Sequence, residues 1–337
     1  VWMETDNTYP YRNLAMEEYM TLHVPQGTCI LYLWQNRHTV VIGKNQNCWR
    51  ECRVNFLEQE NGYLVRRLSG GGAVFHDLGN LNFTFIVGAG DYDVSRQLDV
   101  ILEAVRSLGI HAEKTGRNDI TVDGRKFSGN AFYRTGDGCY HHGTILIRAD
   151  KENMSRYLNV SKEKLASKGV TSVKSRVANL CEFKPDITLE EVKSALVKAF
   201  SKVYGQPAVR MEEGELPQPD IDARTEKFAS WQWKYGRKIP FEYEMEKRFP
   251  WGNIQIQFHV DEGMIQDVNV FSDAMDQEMI GMLAEQLKGC AYAEEDICRA
   301  VKAVGTDAFQ AGEYTGADEP QSCRIKEDIM TLVRESL

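Results

Sequence analysis

A run of glycines constrains this chain most, because it stands between two segments with the pattern of β-strands. The run comprises Ser69-Gly70-Gly71-Gly72. Tyr63 to Arg67 predicts a strand that enters it, and Leu81 to Val87 alternates as a half-buried strand does. Consecutive glycines let a backbone turn tightly and bring its N–H groups close to a ligand. The sequence therefore predicts a turn that suits phosphate or carboxylate oxygens.

The glycine run does not identify a ligand by itself, since such a run is more often a flexible turn than a binding site. No Gly-Lys-Ser or Gly-Lys-Thr follows, as a P-loop requires, and the strand-to-helix context of a dinucleotide fingerprint is absent. Polar side chains nevertheless crowd this otherwise apolar stretch, where a core would exclude them. They are Arg67, Ser69, His76, Asp77, Asn80 and Asn82.

A second polar cluster surrounds Asp123-Gly124, which is among the strongest short-range signals for a β-hairpin. Asp119 precedes the turn as a candidate Mg²⁺ ligand, and Lys126 follows it as a candidate partner for a carboxylate or phosphate. The alternative is two solvated hairpin ends. Because Lys126 belongs to the strand pattern and not to the turn, we favour the binding role.

Two adjacent histidines, His141 and His142, enter a further strand that runs to Ile147. Hydrogen-bonded packing at a strand end is the commoner role for such a pair. A zinc site would need further ligands, which the sequence does not offer at suitable spacing.

The overall composition excludes several classes of protein. A formal net charge of -9 argues against a nucleic-acid partner, which calls for a basic surface. The eight cysteines form no Cys-x-x-Cys pair, so we expect scattered reduced thiols. No apolar run is long enough to cross a bilayer, and no secretory signal pattern opens the sequence. We predict a cytoplasmic protein with neither a membrane nor a nucleic-acid partner.

Periodicity predicts the remaining elements of the first half. Asn13 is a candidate N-cap for a helix over Leu14 to Leu22, with carboxylates in its first turn. Cys29 to Trp34 and Thr39 to Gly43 predict two buried strands that form a hairpin. The apolar stripe between Arg96 and Leu108 predicts a helix.

The middle of the chain contains a helix and a connection. A capping box at Thr188 and Glu191 opens a helix that extends to about Tyr204. The segment from Arg210 to Lys227 is acidic, weakly periodic and rich in turn residues, so it predicts a connection over the surface.

The C-terminal part has the pattern of a small α+β unit. Ile254 to Val260 and Met264 to Phe271 predict a hairpin, and helices follow over Gln277 to Leu287 and Ile325 to Leu337. Since 337 residues exceed a usual single core, we expect a large domain over residues 1–248 and a small one over 249–337.

Four motifs give the sequence a specific resemblance. They stand at Arg66 to Asn80, Gly116 to Asp119, Lys126 to Ala131 and His141 to Thr144. In this order and spacing they resemble the signature regions of lipoate-protein ligases, members of the biotin and lipoate ligase superfamily. The resemblance covers nearly the whole chain, including the small C-terminal domain of bacterial two-domain ligases. Phe75 stands where many relatives have tyrosine, which removes no charge.

The resemblance implies a fold and a reaction. The fold is α/β (α+β), with a large domain of mixed sheets flanked by helices and a small α+β C-terminal domain. In the reaction lipoate attacks ATP, with Mg²⁺, to give lipoyl-AMP and pyrophosphate, and a lysine of a lipoyl domain then takes the lipoyl group. The implied partners are lipoyl domains of 2-oxoacid dehydrogenase complexes and the glycine cleavage H protein.

Site residues carry over from the matching positions. Lys126 is implied as the catalytic residue, in contact with the lipoate carboxylate and the α-phosphate, and Asp119 as the Mg²⁺ ligand. The other implied ATP- and adenylate-binding residues are Arg67, Ser69, Gly72, Ala73, Val74, Phe75, Asn118, Lys174 and Arg176, the last two in a segment that closes over the adenylate. The implied lipoate-binding residues, besides Lys126, are Gly71, His76, Ser128, Gly129, His142 and Gly143.

An octanoyl or lipoyl amidotransferase of the same fold is the nearest alternative, since it needs a cysteine nucleophile and no ATP. Cys139 lies near the His141 motif, but no amidotransferase motif surrounds it. A transferase that uses only preformed lipoyl-adenylate and a non-catalytic carrier are further alternatives, which the intact Lys126 and Gly-Arg-Asn-Asp motifs disfavour. The glycine and arginine signature of biotin ligases is absent.

Overall fold

The computed structural model describes residues 1–115, 119–159, 177–305 and 321–337. The chain divides into two compact units: unit 1 comprises Val1–Ile42, Cys48–Arg67 and Ala73–Lys234, and unit 2 comprises Gly43–Asn47, Leu68–Gly72 and Tyr235–Leu337. Two short segments from the N-terminal half, one of them the glycine run, therefore pack with the C-terminal residues. The functional division between residues 248 and 249 stays a prediction, because packing alone defines these units.

Two sheets form the framework of unit 1. The first has the strand order β1 (Trp2–Glu4), β2 (Cys29–Trp34), β6 (Asn80–Gly88), β10 (Gly138–Leu146), β9 (Arg125–Thr135), β8 (Asp119–Val122) and β7 (Glu113–Thr115). Its first two strands are parallel and its other pairs antiparallel. The second has the order β4 (Tyr63–Arg66), β3 (Thr39–Ile42) and β5 (Val74–His76).

Helices accompany these two sheets. They are α1 (Pro10–His23), α2 (Cys48–Glu51), α3 (Val54–Gln59), α4 (Val94–Ser107), α5 (Lys151–Tyr157), α6 (Leu189–Tyr204), α7 (Gln218–Ala229) and α8 (Trp231–Tyr235). Phe83 and Phe85 of β6 share a core with α4 and α6, whereas Thr84 between them contacts α1. All nine residues of β6 are buried for this reason, so the expectation of a half-buried strand was wrong.

The first helix begins earlier than its sequence pattern suggested. Pro10 occupies the first turn, where its missing N–H costs nothing, and Tyr9 is the N-cap without a side-chain bond. Asn13 is therefore not a cap. Its side chain is buried and donates to the carbonyl groups of Asn7 and Gln35. Glu17 and Glu18 consequently lie beyond the first turn, and Glu17 faces the sheet.

Two other local predictions were wrong. β2 and β3 exist as strands but belong to different sheets, because β3 pairs with β4 and β5 and β2 pairs with β1 and β6. The segment from Arg210 to Lys227 includes most of α7, which packs on α1. Ile221 and Phe228 are buried and anchor α7. They lie two helical turns apart, and the acidic residues of this short segment obscure that pattern in the sequence.

Unit 2 is built on a three-stranded antiparallel sheet. Its strands are β11 (Tyr243–Phe249), β12 (Gly252–Asp261) and β13 (Met264–Ser272), and its helices are α9 (Gln277–Leu287), α10 (Glu294–Ala303) and α11 (Gln321–Ser336). The predicted hairpin and both predicted helices are confirmed. β11 and α10 were not predicted from the sequence. A continuous apolar cluster joins the strands to the helices.

The predicted fold class agrees with this architecture. The mixed α/β class, with a large unit of sheets flanked by helices and a small α+β unit, is confirmed. All eight cysteines are free thiols. Within the described ranges, no helix has the length and apolar character needed to span a membrane.

Candidate active site

A buried carboxylate lies at the centre of a polar network between α1 and the large sheet. Oε1 of Glu17 accepts a hydrogen bond from Oγ1 of Thr84 at 2.7 Å and from Nδ1 of His142 at 2.9 Å. The hydroxyl of Thr84 in turn accepts from Nε1 of Trp34 at 3.0 Å. Glu17 is only 1% exposed. A charge so buried needs such partners, and the network fixes the ring of His142 in one orientation.

His76 ends β5 as a buried and neutral ring. Nδ1 of His76 lies 3.3 Å from the side-chain amide of Asn36, whose Oδ1 accepts from Asn13. The Asn36 amide therefore donates to Nδ1, and the ring hydrogen is on Nε2. Burial, and then the charges of Arg67 and His142, lower the pKa of His76 to about 3. Among the described residues Nε2 has no hydrogen-bond partner, so it is a buried donor available to a ligand.

The two arginines before the glycine run have different surroundings. Arg66 donates to the carbonyl groups of Trp233 and Lys234, and the indole of Trp233 donates back to the carbonyl of Arg66. This arginine secures the end of unit 1. Arg67 is 5% exposed, and burial lowers the pKa of its guanidinium to about 10, against the opposing influence of Tyr140 and Glu17. Arg67 thus remains a cation near the network around Glu17.

Lys126 and Asp119 form an ion pair across the predicted hairpin. Nζ of Lys126 lies 2.5 Å from Oδ1 of Asp119, and the two side chains are 23% and 19% exposed. Asp123 and Gly124 form the turn in the left-handed region, with φ of 49° and 70°. The expected hairpin, and the position of Lys126 on its strand, are therefore confirmed.

Backbone contacts with Val177 and Ala178 also hold Lys126. The carbonyl of Lys126 accepts from the N–H of Ala178 at 2.8 Å, and Lys126 forms a bridge with Val177. Thr121 pairs with Lys126 while Ile120 pairs with Ser128, so Phe127 is an extra residue in β9. Such a β-bulge re-aims the neighbouring side chains. It buries Phe127 in the core and leaves Lys126 beside Asp119.

A resident metal centre finds little support in this arrangement. The described residues contain no group of three His, Cys, Asp or Glu side chains that could hold a metal ion. Asp119 is one carboxylate with a lysine beside it. A Mg²⁺ ion that arrives on nucleotide phosphates, however, commonly needs only one or two protein carboxylates. Asp119 fits that more limited requirement.

Strands β9 and β10 contribute further packed and small residues to this region. His141 has both ring nitrogens within hydrogen-bond distance of Gln97 and Asn130, and burial lowers its pKa to about 3. His141 therefore has the hydrogen-bonded packing role that was predicted for the two adjacent histidines. Ser128 is fully buried. A Cβ on Gly143 would lie 2.6 Å from the ring of Phe83 and 2.7 Å from the carbonyl oxygen of Gly129, so only glycine fits there.

The glycine run has its own partners within unit 2. The N–H of Gly71 donates to the carbonyl of Ala274 at 3.1 Å, and the carbonyl of buried Ser69 accepts from the N–H of Lys44 at 2.9 Å. Gly71 has φ of 86°, and a Cβ on Gly70 would lie 2.4 Å from the oxygen of Ala274. These glycines are therefore required by conformation and by close backbone packing.

The sequence-predicted site residues fall in three places. In unit 1 are residues of β4, β5, β8, β9 and β10 or next to them, namely Arg67, Ala73, Val74, Phe75, His76, Asp119, Lys126, Ser128, Gly129, His142 and Gly143. In unit 2 are Ser69, Gly71 and Gly72. Asn118, Lys174 and Arg176 lie outside the described residues. The side chain of Phe75 is in the core and stacks on Tyr157, so it is not available to a ligand.

Sequence analysis missed Glu17, Thr84 and Trp34 as members of this polar network. Glu17 was assigned to a helix terminus, yet it lies four residues from Asn13, on a helix face where both side chains are buried. A carboxylate at that spacing from another buried polar residue is the signal that could have found it.

Two family models match the chain. The model described as the lipoyl protein ligase A/B catalytic domain matches residues 9–201. The model described as the bacterial lipoate protein ligase C-terminus matches residues 238–316.

Solved structures of lipoate protein ligases are also similar to this chain. P. falciparum LipL1, in complex with lipoate, is 29% identical with a TM-score of 0.82, over 98% of this chain and 99% of that one. A bipartite lipoate protein ligase from Thermoplasma acidophilum, described with its E2 lipoyl domain, is 26% identical with a TM-score of 0.61, over 71% of this chain and 97% of that one. A lipoate-protein ligase A bound with ATP shares the fold, at 23% identity, a TM-score of 0.59, and 70% and 96% coverage.

Proposed function

We propose that this chain, which belongs to the lipoyl protein ligase family, activates lipoate with ATP and attaches the lipoyl group to a lysine of a lipoyl domain. In the first step, a carboxylate oxygen of lipoate attacks the α-phosphorus of ATP. The bond to the β-phosphate breaks, and lipoyl-AMP and pyrophosphate result. In the second step, the neutral amine of the acceptor lysine attacks the acyl carbon. An amide forms, AMP leaves, and the amine loses a proton to solvent.

The half-buried ammonium group of Lys126 is the observation that carries this proposal. Both steps gather negative charge, first on the α-phosphate and then on the acyl oxygen, so a fixed cation should lower both barriers. The strand, the bulge and the bond from Ala178 orient Lys126 before a substrate binds. We assign Lys126 as the catalytic residue, in contact with the lipoate carboxylate and the α-phosphate.

Arg67 and His76, both buried in unit 1, are proposed to supply further contacts to the substrates. Arg67 is assigned to the nucleotide, because its guanidinium keeps its charge in a site of low exposure. The resemblance implies nucleotide-binding roles for Ser69 and Gly72 in unit 2, and for the backbone from Ala73 to Phe75 in unit 1. His76 is assigned to lipoate, since its Nε2–H is a buried donor.

Other assignments follow from the family resemblance. Gly71, Ser128, Gly129, His142 and Gly143 are proposed to contact lipoate. Asn118, Lys174 and Arg176 lie outside the described residues and keep the adenylate-binding role that the resemblance implies. Mg²⁺, when bound, neutralises phosphate charge, and we propose that Asp119 holds it together with phosphate oxygens of ATP.

Lipoyl domains are the proposed protein partners. The support is the Thermoplasma acidophilum lipoylation system, whose structure is described with an E2 lipoyl domain. The lipoyl domains of 2-oxoacid dehydrogenases and the glycine cleavage H protein are the acceptors that the resemblance implies. A role in lipoate salvage and a cytoplasmic location belong to the same proposal.

Exchange of labelled pyrophosphate into ATP tests the first step directly. We expect exchange only when lipoate is present, because reversal of the step needs lipoyl-AMP. Incubation without lipoate is the control. No exchange with lipoate, from protein shown to be folded, would reject the ligase function. The second step is tested by the mass of an apo lipoyl domain after incubation with ATP and lipoate.

A further inference from the structure

Gly129 stands where any side chain would meet Lys126. It pairs with Asp119 across β8 and β9. A Cβ built on Gly129 would lie 2.5 Å from Nζ and 2.6 Å from Cε of Lys126, closer than real atoms approach. The end of the Lys126 side chain therefore occupies the space that a side chain at position 129 would need.

The β-bulge explains why two residues three positions apart meet in this way. Successive residues of a regular strand point to opposite faces, so positions 126 and 129 would face apart. The extra residue, Phe127, reverses this alternation. Lys126 thus lies on the same face as Gly129 and its cross-strand partner Asp119, where it folds back over the glycine to reach the carboxylate.

Among the described residues, no other feature of the strand requires glycine at this position. Gly129 is not among the glycines with positive φ. Apart from Lys126, the nearest atom of the described residues to a Cβ at position 129 is Oγ1 of Thr144, at an ordinary 3.9 Å. Gly143 differs, because a Cβ there would strike the ring of Phe83 and the backbone of Gly129. Packing accounts for Gly143, whereas within the described part of the chain the lysine is the neighbour that calls for Gly129.

We propose that Gly129 is a positioning residue: the space above it sets where the ammonium group of Lys126 stands beside Asp119. This inference rests on the proposed function, in which that ammonium stabilises charge on the carboxylate and the α-phosphate. The role differs from direct contact with lipoate, because Gly129 acts through Lys126. It predicts that position 129 controls the rate of adenylate formation.

Gly129→Ala should fold normally yet misplace the lysine. The atoms that must move are the far end of a flexible side chain, which shifts at little cost to the folded state. A displacement of about 1 Å at a reacting centre costs up to about 100-fold in rate. We therefore expect kcat for pyrophosphate exchange to fall by roughly 10- to 100-fold, with smaller changes in KM for ATP and lipoate.

Gly90→Ala is the matched control. Gly90 is exposed, has no positive φ, and a Cβ there would meet no atom of the described residues within 4 Å. Urea unfolding, kcat and KM should match those of the parent protein. Exchange by Gly129→Ala at the parent rate would overturn the proposal. Unfolding of Gly129→Ala would overturn it as well, since it would make position 129 a packing site.

A double-mutant cycle with Lys126→Ala separates positioning from a general effect. If Gly129 acts through the lysine, Gly129→Ala should cause little further loss of single-turnover activity once Lys126 is gone. An equal loss in both backgrounds would contradict the proposal.

Labelling of Lys126 by an amine-reactive reagent gives a readout that does not need turnover. Mass spectrometry should find faster labelling in Gly129→Ala, because the ammonium leaves its partner Asp119, and unchanged labelling in Gly90→Ala. Equal rates in all three proteins would count against the positioning role. If the parent protein shows no exchange at all, the proposed function fails, while the labelling rates still decide the position of Lys126.

Discussion

Nζ of Lys126 lies 2.5 Å from Oδ1 of Asp119, so the proposed catalytic cation already has an anionic partner before a substrate binds. We expect an incoming carboxylate or phosphate to share or replace that partner. The pair holds the half-buried ammonium in one direction, which is the condition for electrostatic stabilisation in a site prepared in advance.

Lys126→Ala should lower lipoate-dependent pyrophosphate exchange by about 100- to 1000-fold, the usual loss when one fixed donor to developing charge is removed. Exchange and transfer to an apo lipoyl domain are the measurements. Lys184→Ala, which removes a surface ion pair with Glu191, serves as the control. Exchange by Lys126→Ala at the control rate would remove Lys126 from the catalytic role.

Cys139→Ala should leave both steps unchanged. Cys139 is fully buried, and burial raises the pKa of its thiol, which disfavours the thiolate that an amidotransferase needs. The same two assays measure the outcome. Loss of transfer in Cys139→Ala together with retention in Lys126→Ala would establish the amidotransferase instead.

Acid should destabilise the folded protein from near neutral pH downwards. Burial, and then nearby positive charge, lower the pKa of His76 and of His141 to about 3, from about 6.5 in an unfolded chain. Between these values the unfolded state binds protons that the folded state does not. The stabilisation is therefore complete above about pH 6.5, and each histidine removes up to about 1.4 kcal/mol per pH unit below it.

Urea unfolding at about pH 7 and about pH 5 measures this loss. His111→Gln, at an exposed position, is the control and should show the same dependence as the parent protein. Equal free energies of unfolding at the two pH values would contradict the burial of neutral His76 and His141.

Thr84→Val should destabilise unit 1 although it preserves the shape of the side chain. Thr84 is fully buried, donates to Glu17 and accepts from the indole of Trp34. Valine would leave a carboxylate oxygen and an indole N–H each short of a partner, at a cost of about 1–3 kcal/mol for each unsatisfied group. Thr331→Val, in the exposed part of α11, should stay within about 0.5 kcal/mol of the parent in the same urea experiment.

The parts of the fold that could be predicted are those with a local cause. Asp123-Gly124 set the β8–β9 hairpin because both residues accept the left-handed region. The capping box at Thr188 and Glu191 opens α6, as expected, since both reciprocal bonds are present. The helix start at Pro10 was missed because a proline in the first turn competes with an apparent cap at Asn13.

The sequence by itself determined that strands flank the glycine run, that Lys126 and Asp119 share a hairpin, and to which family the motifs point. These conclusions rest on patterns within a few residues. Only the tertiary structure decided the partners. It separated β2 from β3, grouped the glycine run with the C-terminal residues, and brought Glu17 to Thr84 and His142, which are 67 and 125 residues away. Local periodicity cannot specify such pairs, because they follow from which surfaces bury one another and satisfy their polar groups when the whole chain packs.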